Sequence, residues 1–255
     1  MELKNRVAVI TGGSKGMGAS TARVMHREGA KIALLDLDES GARLAGKLGP
    51  RGLFIRCDVS NGREVEQAFR TVFRRFGGVD ILVNNAGILS YHTVTETPEE
   101  EWDRTMNVNL KSAFLCAKQA IPSMLRRGKG VVINVASVQS FISQSKVAAY
   151  VTSKTALLGL TRSIAVDYAP KVRCLAVCPG TVDTPMLQRA IQESPDPAAV
   201  LEECRQMHLL KRIGKPEEIA ELIAFLVGDK AAFVTGQYVR IDGGLGVSIG
   251  GSKRD

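Results

Sequence analysis

The chain has 255 residues, 45% hydrophobic and 24% charged, with a formal net charge of +8. That composition excludes a disordered tail, the lack of a period or a Pro/Gly/Ser bias excludes a collagen-like or low-complexity chain, and no apolar run reaches the roughly 18 residues of a membrane span. The positive charge raises nucleic acid as a partner, but it is spread along the chain: residues 1–60 carry 10 basic and 6 acidic side chains, and residues 191–255 carry 8 and 10. Without a clustered basic motif, a nucleic-acid partner is not expected.

The N-terminal residues 1–6 run directly into a predicted strand at 7–11, which leaves no room for a signal peptide and points to the cytoplasm. The strand opens into Thr11-Gly12-Gly13-Ser14-Lys15-Gly16-Met17-Gly18 and then a predicted helix at 16–27. Glycines 12, 16 and 18 permit a tight turn and close approach of a ligand, and the helix N-terminus offers free N–H groups to a phosphate. A Gly-rich turn can also simply join strand to helix; the strand–turn–helix context favours binding. A second strand at 31–36 ends on Asp36, placed to accept hydrogen bonds from an adenosine ribose and to repel a 2′-phosphate, which favours NAD. Asp36 can instead be a helix cap, a role open to Asp38 as well. Lys15 argues the other way, since a cation in the Gly-rich loop can pair with the 2′-phosphate of NADP.

A helix at 39–48 leads to a strand at 53–57 and to Asp58-Val59, where Asp58 can bond an adenine amino group. Asn61 and Glu64 form a capping box for a helix at 64–76. The strand at 81–84 runs into Asn84-Asn85-Ala86-Gly87, at a strand end where open α/β sheets bind ligands; spacing alone does not separate a binding turn from a plain one. Tyr91 and His92 follow. Thr97-Pro98-Glu99-Glu100 reads as a second capping box, opening one long helix at 98–126. A strand at 131–135, a helix at 149–168 and a strand at 172–178 come next. The stretch 181–214 reads as irregular, with a short helix around 198–207, and a loop that long serves as a lid or binding loop. Pro216 opens a helix at 216–227, and a last strand is predicted at 237–241.

Six of the seven strands are almost continuously apolar, as for parallel strands covered on both faces. Strict strand–helix alternation gives one doubly wound, seven-stranded parallel α/β domain with helices on both faces. The five cysteines read as reduced, buried thiols of a cytosolic protein. Cys174 and Cys178 lie about 13 Å apart along one strand, too far for a bridge. The three histidines, His26, His92 and His208, show no metal spacing and read as surface residues; no metal is expected.

Asn109, Ser137, Tyr150 and Lys154 form a candidate catalytic constellation. Tyr150 and Lys154 are four apart near a helix start and share a face. A free tyrosine titrates near ~10, and a neighbouring ammonium stabilises its phenolate, so Tyr150 can exchange a proton with a hydroxyl or carbonyl oxygen. Ser137 can bond the same oxygen. A Tyr–Lys pair at this spacing is common by chance, and taken alone it fits an ordinary amphipathic helix better than a catalytic pair.

In order and spacing, the Thr11–Gly18 turn, Asp58, Asn84–Gly87, Asn109, Ser137, Tyr150-Val151-Thr152-Ser153-Lys154, Pro179-Gly180 and Asp242-Gly243-Gly244 resemble the short-chain dehydrogenase/reductase family over essentially the whole chain. The resemblance implies a Rossmann-like fold, a catalytic tetrad of Asn109, Ser137, Tyr150 and Lys154, and an Asn109-held water that links Lys154 to solvent. It implies nucleotide contacts from Gly12, Ser14, Lys15, Gly16, Met17, Gly18, Asp36, Asp58, Val59, Asn85, Ala86 and Gly87, with Pro179, Gly180, Val182 and Thr184 on the nicotinamide side.

The substrate pocket is expected along 138–147, with Tyr91, His92, Gln139 and Met186 as candidate contacts; Gln139 can bond a second hydroxyl. Ser137-Val138-Gln139, Ala149-Tyr150 through Lys154, and Asp167-Tyr168-Ala169-Pro170 before Arg173-Cys174 resemble microbial aldose dehydrogenases of that family. The expectation is therefore an NAD-dependent oxidoreductase, with NADP as the alternative cofactor, acting on an aldose at C1. Acyl-thioester, steroid and secondary-alcohol substrates stay open, as does a non-catalytic dinucleotide sensor. The small residues of the 149–168 helix permit close helix approach, and the family pairs this helix across a two-fold axis, which implies a homotetramer.

Overall fold

The structure, a computed structural model, describes residues 2–247. Among these residues the chain runs β1 (Val7–Thr11), α1 (Gly16–Arg27), β2 (Lys31–Asp36), α2 (Ser40–Lys47), β3 (Gly52–Arg56), α3 (Gly62–Phe76), β4 (Ile81–Asn84), α4 (Glu99–Met106), α5 (Ser112–Arg127), β5 (Gly130–Val135), α6 (Ala148–Tyr168), β6 (Val172–Pro179), α7 (Pro185–Gln192), α8 (Pro197–Gln206), α9 (Pro216–Val227) and β7 (Tyr238–Ile241). The seven strands form one parallel sheet in the order β3-β2-β1-β4-β5-β6-β7.

Both faces of the sheet are apolar, and alternate residues of each strand serve opposite cores. Ala8, Ile10, Ile32, Leu34 and Ile133 pack with side chains of α1, α2 and α9. Val7, Val9, Ala33, Leu35 and Val132 pack on the other side with α3, α5 and α6. Each fully buried side chain of this size stabilises the fold by roughly 1.5–3 kcal/mol over leaving it in water. The order reverses direction between β1 and β4, so a crevice opens at their C-terminal ends, where the Gly-rich turn and the Asn84–Gly87 turn lie. No helix among the described residues is long and apolar enough to cross a membrane.

Asn61 caps α3, its Oδ1 accepting from the N–H groups of Arg63 (3.0 Å) and Glu64 (3.4 Å) and its amide donating to Glu64 (3.1 Å), but the box does not close, because the Asn61 N–H donates to the Asp58 carbonyl (3.0 Å) and Glu64 accepts from the Asp58 N–H instead (2.8 Å). The Thr97 box does not form. The Thr97 hydroxyl turns back to donate to the Thr93 carbonyl (2.7 Å), and the helix starts at Glu99 with Pro98 as its cap. The predicted helix 98–126 is also not continuous. It widens into a π-turn at Asn107–Lys111, which separates α4 from α5; such turns concentrate at functional sites.

Residues 181–214 hold the expected helix around 198–207 as α8 and a second, unexpected helix, α7. Thr184 and Asp196 cap α7 and α8 by accepting from the N–H groups of Leu187 (3.4 Å) and Ala199 (3.0 Å), and Pro185 and Pro197 occupy the first turns. Each of these prolines opens its helix, where the missing N–H costs no intrahelical bond.

Candidate functional site

The Gly-rich turn is built so that backbone meets backbone. A Cβ on Gly12 would lie 2.9 Å from the Ala86 Cα, and one on Gly18 only 2.1 Å from the Gly12 carbonyl oxygen. Gly12 and Gly16 also take positive φ (61° and 52°), which side-chain-bearing residues rarely adopt. The turn is clamped from β4. The Asn85 amide donates to the carbonyls of Thr11 (3.0 Å) and Gly12 (2.9 Å), while Thr11 Oγ1 accepts from the N–H groups of Asn85 and Ala86 (3.0 Å each). The Asn84–Gly87 motif is thus the brace of the Gly-rich turn. Helix α1 begins with no side-chain cap and no acidic residue in its first turn. An uncapped, acid-free helix start behind a glycine cradle fits a dinucleotide pyrophosphate.

Asp36 and Lys15 occupy the end of that cradle. Asp36 accepts from the N–H groups of Ser14 (2.9 Å) and Asp38 (3.0 Å), which fixes its carboxylate beside the turn. The side chain of Ser14 is turned away, donating to the Asp38 carbonyl (2.8 Å). Lys15 is not free for a phosphate: its Nζ lies 2.5 Å from Asp38 Oδ2. The Lys15 ammonium, with Ser40, holds the Asp38 carboxyl well below the usual carboxylate range. Asp38 Oδ1 also accepts from the Ser40 N–H (2.9 Å), so the capping role weighed for Asp36 falls to Asp38. Asp58 accepts from the N–H and hydroxyl of Ser60 (2.9 and 2.7 Å). Val59 and Val182 are buried in the cores.

Across the crevice, the 3-10 turn Val138–Ser140 follows β5 and carries the Ser137 loop against α6. Ser137 Oγ accepts from the Gln139 N–H (3.1 Å), and Ser140 Oγ donates to the Lys154 carbonyl (2.9 Å). Lys154 is 4% exposed. Its Nζ donates to the Val135 carbonyl (2.8 Å) and lies 5.8 Å from the centre of the Tyr150 ring. Asn109 sits in the π-turn and grips the chain after Gly87, accepting from the Ile88 N–H (2.8 Å) and donating to the Ile88 carbonyl (2.9 Å) and to Ser153 Oγ (3.0 Å). Ser153 in turn donates to the Tyr150 carbonyl (2.7 Å). A Cβ on Gly87 would meet both Lys154 Nζ (3.3 Å) and Asn109 Oδ1 (3.4 Å), so these groups converge there.

The electrostatics differ from the expectation in one respect. Burial pushes the Tyr150 phenol above its ordinary value; the neighbouring Ser137 hydroxyl works against that rise and Tyr91 adds to it. The same burial pulls Lys154 down to about 8. The buried thiols Cys57, Cys174 and Cys178 are pushed up to about 12, chiefly by burial, which makes them poor nucleophiles near neutrality. Cys204 is the one described cysteine that is only partly buried.

Among the candidate substrate contacts, Tyr91 is 43% exposed and close enough to influence Tyr150. Gln139 holds a buried Oε1 with no hydrogen-bond partner, while its Nε2 donates to Gln144 (3.4 Å). His92 pairs with Glu101 (2.8 Å), and Met186 lies exposed at the start of α7. Thr184 reaches over the Gly-rich turn, within 3.3 Å of where a Gly16 Cβ would stand. His208, read as a surface residue, is 1% exposed. Sequence reasoning also missed Ser140 and Thr11 as braces. Ser153 stood inside the quoted Tyr150–Lys154 motif without a role of its own.

The comparisons agree with this architecture. The profile of a family described as "Enoyl-(Acyl carrier protein) reductase" matches residues 12–246. An uncharacterized oxidoreductase of Thermotoga maritima is 41% identical, covering 96% of this chain and 98% of that protein. A 2-(S)-hydroxypropyl-CoM dehydrogenase of Xanthobacter autotrophicus is 39% identical, covering 95% and 97%. The ligand-free structure of Thermoplasma acidophilum aldohexose dehydrogenase superposes with a TM-score of 0.92 at 38% identity, over 99% of this chain and 98% of the other. With its parallel sheet, its Gly-rich turn and relatives of nearly equal length, the chain belongs to the short-chain dehydrogenase/reductase family of oxidoreductases.

Proposed function

We propose that this protein is an NAD-dependent dehydrogenase that interconverts a hydroxyl and a carbonyl, with an aldose oxidised at C1 as its substrate. The observation that carries the reaction type is the half-buried Tyr150, whose phenol meets the Ser137 hydroxyl and whose ring lies 5.8 Å from the buried Lys154 amine. Ser137 and Tyr150 hold the substrate oxygen from two sides. In the oxidative direction Tyr150, as phenolate, takes the hydroxyl proton as the carbon–oxygen double bond forms. A bound oxidised nicotinamide dinucleotide would supply the hydride acceptor and a positive charge. Lys154 adds its ammonium to that charge and steadies the phenolate. Asn109 keeps the Ile88 segment and Ser153 in place, and a water beside it would carry protons between Lys154 and solvent.

The Gly12–Gly18 cradle and the start of α1 would hold the pyrophosphate, and Asp36 the adenosine ribose. The Lys15–Asp38 pair supports NAD over NADP, because the turn's cation is already neutralised. Two observations favour a polyhydroxylated substrate. The unpartnered Gln139 Oε1 is an acceptor suited to a second hydroxyl, and the aldohexose dehydrogenase is a close structural neighbour.

The exposed faces of α5 and α6, where Phe114 is 50% and Val166 81% exposed, support a homotetramer joined through these helices. The test is a panel of aldoses, polyols, steroids, acyl thioesters and simple ketones with NAD or NADP, read as absorbance of the reduced cofactor. Turnover of an aldose with NAD supports the reading. Turnover confined to another class moves the substrate, and dinucleotide binding without turnover of any of them overturns it.

A further inference from the structure

His208 lies buried between the turn that follows β6 and the end of α8. The ring is buried, and its two nitrogens have different partners. Nε2 accepts from the Thr181 N–H (3.1 Å), and Nδ1 lies 2.7 Å from the carbonyl oxygen of Cys204, near the end of α8. A backbone N–H can only donate, so Nε2 carries the lone pair. Nδ1 therefore carries the proton and donates to Cys204. This fixes one neutral tautomer and ties two segments 23–27 residues apart.

The surrounding chain is shaped to admit this ring. A Cβ on Gly180 would stand 2.8 Å from Nε2, and one on Gly243 3.3 Å from the ring, with Gly243 at φ 55°. Gly180 and Gly243, from the Pro179-Gly180 and Asp242-Gly243-Gly244 motifs, thus both make room for the His208 ring. Thr181 is pinned on its other side too: its carbonyl accepts from the Gly214 N–H (2.8 Å), and Gly180 donates to Ile241 (3.1 Å). The Thr181–Thr184 segment leads directly from β6 into α7, and Thr184 overhangs the Gly-rich turn.

We propose that His208 is a positioning residue that sets the distance between the nicotinamide side of the crevice and the α7–α8 segment covering the substrate. This rests on the reading that residues 179–184 face the nicotinamide. A phenyl ring of similar volume offers neither an acceptor to the Thr181 N–H nor a donor to the Cys204 carbonyl, whereas a glutamine amide still offers Thr181 an acceptor.

The test combines His208→Phe, which keeps ring volume without either bond, with His208→Gln, which keeps the Thr181 acceptor. Amide hydrogen exchange of the cofactor-free protein reads positioning independently of turnover, so it stands even if the dehydrogenase reading fails. His208→Phe is expected to speed exchange about tenfold or more at Thr181 and across residues 181–207, with β1 and α1 unchanged. It is expected to raise KM for the substrate about tenfold with a smaller change in kcat. His208→Gln is expected to recover Thr181 protection and part of the KM. Wild-type exchange at 181–207 in the Phe variant overturns the proposal. So does faster exchange spread evenly through the sheet in both variants, which would make the ring a general core residue.

Discussion

Lys154 brings a positive charge into the interior without a carboxylate partner among the described residues. Burial lowers its pKa from 10.5 to about 8. Each tenfold loss of proton affinity is about 1.4 kcal/mol, so below pH ~8 the charged amine costs the fold on the order of 3 kcal/mol. Lys154→Met removes that cost but deprives the Val135 carbonyl of its donor, a loss of about 1–3 kcal/mol. At pH 7 the variant is therefore expected to be as stable as wild type or up to about 2 kcal/mol more stable, while its turnover collapses.

The pH dependence separates these terms. The folded pKa lies below the unfolded one, so between about 8 and 10.5 the unfolded chain binds the extra proton and wild-type stability rises with pH. The methionine variant has no such gain. Urea unfolding of both proteins at pH 7 and pH 10 is expected to show wild type gaining about 2–3 kcal/mol on the variant. A stability difference that does not change with pH refutes the argument that Lys154 is a strained, charged group.

Gly18→Ala drives a methyl to 2.1 Å from the Gly12 carbonyl and 2.7 Å from the Asn85 amide. Overpacking and the loosened Asn85 clamp together are expected to cost about 2–5 kcal/mol, visible as a lower melting temperature and as lost NAD binding by calorimetry. Asp38→Asn frees Lys15; an exposed pair of this kind is worth at most about 1 kcal/mol, so the NADP-to-NAD ratio of kcat/KM is expected to rise about two- to fivefold. The rise should vanish when Lys15→Ala is added, and an unchanged ratio in Asp38→Asn alone removes the pair from cofactor choice. Light scattering is expected to give four times the 27.5 kDa chain mass; a monomer removes the reading of the α5 and α6 faces.

The sheet was legible because its inner strands are buried on both sides. β1 and β5 are buried at every position, so each reads as an unbroken apolar run. The Gly-rich turn was legible because only glycine satisfies both its positive φ and its close backbone contacts. What lay hidden depends on partners far along the chain. His208 meets Thr181 across 27 residues, and Asn109 meets Ile88 across 21. No local pattern marks either pair. The π-turn is invisible for the same reason, since helical periodicity survives one widened turn. Lys15 looked available for a phosphate until the fold set Asp38 against it. The pKa of Tyr150 followed its burial, which four-residue spacing to Lys154 does not reveal.

The Tyr150 hydroxyl is the group that exchanges the proton with the substrate oxygen, with Lys154 and Ser137 supporting it. Tyr150→Phe removes that one oxygen and keeps the ring. The account requires turnover of the best substrate to fall by at least about a thousandfold, within the range contributed by a positioned general acid/base, while NAD affinity stays within about twofold. Turnover near the wild-type rate in this variant contradicts it.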